Sequence, residues 1–158
     1  MSTFSRWGTG MLGVAIVTGV VLVRSQSTPD VAVATPGAPA RLGLDILRSD
    51  IARSPSGLVL RVTAYEPPRV GTVAIVARLE NARTGETREV GRFGMFPDAP
   101  FRAASPNDAQ RFALKLGIID LEWVQRAETH VSVVLEPAGG DGAGARLVTG
   151  GLELRDPR

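Results

Sequence analysis

Val73-Ala74-Ile75-Val76-Ala77-Arg78-Leu79, then Asn81-Ala82-Arg83-Thr84-Gly85-Glu86, then Thr87–Phe96 with Val90 and Phe93: this run decides the fold class. Val73, Ile75, Ala77 and Leu79 recur at every second position, the spacing that places side chains on one face of a strand. Asn81 and Gly85, the latter open to positive φ, predict a hairpin turn, with Thr87–Phe96 as the return strand. Gly91 and Gly94 in that return strand mark positions for a bulge or a close approach.

The same period of two appears on both sides. Leu42, Leu44 and Ile46 alternate with small or polar residues, and so do Leu58, Leu60, Val62 and Ala64. Later come Phe112, Leu114 and Leu116, then Val131, Val133 and Leu135, and finally Leu147, Leu152 and Leu154 beyond the Gly-rich turn Ala138–Ala145. About seven such segments separated by turn signals predict an all-β fold, an antiparallel β-sandwich or barrel. Only Ile118–Val124 breaks the period. It predicts one or two helical turns across the end of the sandwich, with Trp123 as a plug for the core; a ligand-stacking platform is the other role for that ring.

Trp7–Val23 is uncharged and lies between Arg6 and Arg24. Seventeen residues at a helical rise of about 1.5 Å just span a hydrocarbon core. The best small-residue cleavage motif, Ala32-Val33-Ala34, lies well past the apolar run and beyond Arg24 and Asp30, which favours an uncleaved anchor over a cleaved signal peptide. One Arg on each flank leaves the amino terminus to set the orientation, cytoplasmic, with the domain on the periplasmic or extracellular side. Residues 25–40, rich in Pro, Ala, Ser and Thr, read as a tether, and residues 41–158 as the folded domain.

The chain holds 18 Lys+Arg against 16 Asp+Glu. Arg6 and Arg24 flank the apolar segment and every acidic residue follows it, so the remainder is balanced. A neutral domain without a basic run argues against nucleic acid as a partner. With no Cys there are no disulfides, thiolate metal sites or Cys nucleophiles. His130, the one histidine, makes no transition-metal site by itself and reads as a strand-edge polar residue. No cofactor or metal is expected.

Val90-Gly91-Arg92-Phe93-Gly94-Met95-Phe96, Arg111–Leu116 leading into a short helix, and His130–Pro137 follow one another in an order that resembles the β-sandwich domain behind the copper domain of bacterial tyrosinases and plant polyphenol oxidases. That family shows a similar V-G-x-F-x-x-F strand, then an F-x-L/V strand, then a V-x-V-x-L-x-P strand. The resemblance covers half to two thirds of the chain, from about Val70 on. It implies a sandwich packed beside a dicopper domain, shielding it or assisting its maturation. The copper domain itself needs a set of helical histidines that this chain lacks, so any oxidase chemistry would belong to a partner.

Other chemistries find little support. There is no G-x-S-x-G turn for a nucleophile. The carboxylate pairs Asp98/Asp108 and Asp120/Glu122 sit where Asp serves as a cap or turn former. Gly139–Gly144 lacks the phosphate-loop form and reads as a hairpin or disordered loop, and its one Asp is too few for calcium. The loop Phe96-Pro97-Asp98-Ala99-Pro100-Phe101-Arg102 instead concentrates two of the few aromatics beside prolines and an Arg. Phe96, Phe101 and Arg102 are therefore expected partner-contact residues, the alternative being that both Phe side chains fold back on the sandwich. Tyr65, ahead of Pro67-Pro68 and expected to be exposed, is a second such position. The expected function is a non-catalytic, membrane-tethered accessory subunit that binds another protein chain, a tyrosinase-like metalloenzyme among the partners considered. The alternative is a freestanding structural or adhesion sandwich of the cell envelope.

Overall fold

The computed structural model describes residues 31–44, 57–125 and 129–155. Strands β1 (Val33–Ala34), β2 (Ala40–Gly43), β3 (Gly57–Glu66), β4 (Thr72–Asn81), β5 (Thr87–Phe93), β6 (Phe101–Arg102), β7 (Gln110–Lys115), β8 (Thr129–Ala138) and β9 (Arg146–Arg155) carry more than half of these residues, with one α-helix, α1 (Ile118–Gln125), between β7 and β8. The all-β expectation stands. Trp7–Val23 lies outside the described residues; among those described, no helix is long and apolar enough to cross a membrane.

The strands form two antiparallel sheets. The first runs β1-β9-β3, with β6 and β7 both pairing the far side of β3; the second runs β2-β8-β4-β5. Their inner faces share one core, to which Leu58, Leu60, Val62 and Leu147 contribute from the first sheet and Ile75, Leu79, Val133 and Leu135 from the second. Each such side chain, removed from water, contributes roughly 1.5–3 kcal/mol before entropy is counted.

The hairpin decided by Asn81–Glu86 forms as read: Gly85 has φ +71°, and the Asn81 side chain accepts the backbone N–H groups of Arg83 and Thr84 at 3.0 and 3.1 Å. The register shifts beside Gly91, where Ala77 pairs Gly91 but Arg78 pairs Glu89, leaving Val90 as the bulged residue. A Cβ on Gly91 would lie 2.7 Å from Leu114 Cδ2, so β7 approaches here as expected, whereas Gly94 has open space around it. Phe93 of β5 stacks on Phe112 of β7 with ring centroids 4.0 Å apart, which closes that side of the sandwich.

The Gly-rich run departs from its reading. β8 and β9 belong to different sheets, so residues 139–145 form an arch between the sheets, not a hairpin. The arch is packed: a Cβ on Gly142 would meet Pro137 and Pro36 at 2.8 and 2.9 Å, and Arg69 N–H donates to Ala143 O at 2.9 Å. The crossings β1–β2, β3–β4 and β8–β9 thus meet at one end. The stretch read as a tether also contributes structure, since Val33 and Ala34 pair Val148 and Leu147.

Trp123 closes the opposite end. It is buried with Val124 against the core, as the plug reading requires. Asp120 Oδ2 accepts Gly117 N–H at 2.7 Å at the start of α1. Its other oxygen lies 3.0 Å from Arg88 Nε, as an ion pair without hydrogen-bond alignment, and the Arg88 guanidinium also stands over the Trp123 ring.

Candidate partner-binding site

The four expected contact residues separate. Tyr65 is not exposed: it is 1% accessible and part of the core. The cause is a bulge. β3 pairs β9 with register shifts between Leu60 and Ala64, opposite Thr149–Gly151. Leu58, Leu60 and Val62 point inward, but the next core residue is Tyr65, while Ala64 drops out of the core cluster. The alternation read through Ala64 therefore fails at its last member.

Tyr65 Oη donates to Asp98 Oδ1 at 2.8 Å. Burial first, then the hydrogen bond and charge of Asp98, push the phenol well above its ordinary range. This bond ties the 94–100 loop to the core. Asp98 is thus an anchor of that loop.

Phe101 and Arg102 form β6, with Phe101 opposite Tyr65 and Arg102 opposite Ala64. Phe101 is half-buried and packs on the core, so for this ring the fold-back alternative holds. Phe96 does the reverse. It is 95% exposed, the most exposed large apolar side chain among the described residues. Beside it lies an open cavity of about 440 Å³, lined by Val73, Phe93, Gly94, Met95, Asp98 and Arg92 among others.

Arg102 is exposed on the outer face of the first sheet. There it lines a second cavity of about 340 Å³ with Thr63, Ala64, Ala103, Arg146 and Val148. Sequence reasoning missed this grouping because the bulge turns Ala64 onto the face that alternation already gives Thr63 and Arg146, and the strand pairing that brings Arg102 and Arg146 together is long-range.

The outer face of the second sheet is different. His130 Nε2 lies 2.6 Å from Glu80, which also faces Arg41 at 3.8 Å. Glu136 binds both Arg78 and Arg92, and Arg92 grips Glu89 with two nitrogens at 3.0 and 2.9 Å. Arg92 holds the Glu89 carboxyl below its usual range. His130 is therefore one member of a surface network. Among the described residues no group of three His, Cys, Asp or Glu could hold a metal ion. No protein-family model, curated protein or solved structure matches this chain.

Proposed function

We propose that this chain is a non-catalytic protein-binding module, held to a membrane by Trp7–Val23 with its β-domain on the outer side, and that Phe96 is its principal partner contact. The observation that carries the reading is a fully presented aromatic ring beside an open cavity, on a loop anchored from within by Tyr65 and Asp98. Interface energy concentrates in aromatic anchors on backbone that is already ordered. A tyrosinase-like metalloenzyme as the partner rests on the Val90–Phe96 and His130–Pro137 resemblance alone.

The test is Phe96→Asp in the full chain, purified in detergent beside the parent. Chains that co-purify with the parent should be lost while the thermal midpoint stays within about 2 °C, because the ring makes little contact with its own fold. Retention of the same chains by the variant would sink the reading. The mass of the mature protein tests the anchor: a chain beginning near Thr35 would show that Trp7–Val23 is removed.

A further inference from the structure

We propose that the groove between Arg102 and Arg146 on the outer face of the first sheet binds a carboxylate of an extended acidic peptide segment. The site shares no residue with the Phe96 cavity and does not depend on it.

The register places both arginines on one face. Arg102 and Val148 flank Ala64 from β6 and β9, and Arg146 lies opposite Glu66 one row further along. With strands about 4.8 Å apart and residues about 3.3 Å apart, two side chains of arginine length can converge above Ala64. The floor beneath is Ala64, Ala103 and Val148, small side chains that let a backbone come close. Among the described residues Arg102 has no ion-pair partner and Arg146 meets the half-exposed Glu66 at 3.8 Å, a contact another carboxylate can replace. A planar guanidinium matches a carboxylate with two parallel hydrogen bonds.

The groove continues past Thr63 and Ala103 into a third cavity, of about 260 Å³, with Arg61, Ala104, Pro106 and Gly150 on its walls. A trough running several residues along β3 fits an extended segment better than a single small anion. Charge supports an acidic occupant. Among the described residues of this face Arg61, Arg102, Arg111, Lys115 and Arg146 stand against Glu66 and Glu153, with Asp108 held by Ser105 at the far end of the trough. The trough walls contain no aromatic ring, and base stacking would need one, which disfavours single-stranded nucleic acid.

The test uses a fluorescein-labelled peptide, Ala-Glu-Ala-Glu-Ala with blocked ends, and its Gln counterpart, titrated with the full chain in detergent and read by anisotropy. The Glu peptide should bind saturably and the Gln peptide at least tenfold more weakly. Arg102→Ala should weaken the Glu peptide by about tenfold and Arg102→Lys by less, since one charge-assisted contact is lost. Three results would overturn the proposal: equal binding of both peptides, unchanged binding by Arg102→Ala, or displacement by inorganic phosphate as effective as by unlabelled Glu peptide at equal ionic strength. The last would make the groove a general anion site. An unchanged thermal midpoint in Arg102→Ala shows that any loss is local.

Discussion

The second sheet turns to solvent a face on which Arg41, Arg78 and Arg92 interlock with Glu80, Glu89 and Glu136, with His130 closing one corner. The Arg78–Glu136 and Arg92–Glu136 bridges cross diagonally over Val76, which is fully buried beneath them although it points away from the core. The first sheet does the opposite. Glu153 serves both Arg61 and Arg111, and among the described residues Arg102 has no counterion. The folded domain is close to neutral as a whole, yet that neutrality is the sum of one self-satisfied face and one that is not. A face that has already paired its charges offers a charged partner little; an unpaired one offers much.

The largest way to disturb this contrast is to remove the residue that sets it. Tyr65→Ala should cost about 3 kcal/mol in denaturant unfolding, because the ring fills the core beyond the bulge and fixes Thr63 and Ala64 on the groove side. Tyr65→Phe keeps the ring and loses only the Asp98 bond, for about 1 kcal/mol. Its sign with pH follows from the raised phenol: the folded chain favours the protonated form, so this contribution is complete below the unfolded value of about 10 and is lost as pH rises above it. The parent should therefore lose more stability than Tyr65→Phe as pH rises from about 10 to about 11. Tyr65 is the sole tyrosine, so phenolate absorbance of the folded chain reports it alone. Titration at the ordinary tyrosine value would refute the link.

Glu136→Ala attacks the closed face. It releases Arg78 and Arg92 together and should lower the midpoint by about 3 °C, with the loss shrinking in high salt. An effect independent of salt would mean that the stems of the arginines matter more than their charges. The smallest effect belongs to the open face: Arg102→Ala should change stability by less than about 0.5 kcal/mol. A larger cost would show that Arg102 is structural and weaken the contrast.

Much of the fold was legible because period two is a direct imprint of burial. The core members of β4, β7 and β8, the Gly85 hairpin and the Trp123 plug followed from local pattern alone. Legibility failed where long-range pairing intervened. The extra residue at Thr63, opposite the Val148–Thr149 step, reverses the parity of β3, so Tyr65 turns to the core and Ala64 to the outer face, and no property of residues 58–65 announces it. β1 is only two residues long and β6 only two, too short for any period to register. Of the contact residues, Phe96 and Arg102 are exposed as expected, whereas Tyr65 and Phe101 were claimed by the core.

The pairing of β1 with β9 has a mechanical consequence. Ala32 O accepts both the backbone N–H and the hydroxyl of Thr149, at 2.9 and 3.1 Å. The chain entering from its N-terminal side is thus clipped to the last strand before it reaches β2. Any pull applied there reaches the fold first at this clip, where hydrogen bonds lie across the line of force and share the load. Peeling β1 away would uncover the neighbouring edge of β9 at Leu147 and Val148, so tension would be felt as an unmasked strand edge long before the two sheets separate.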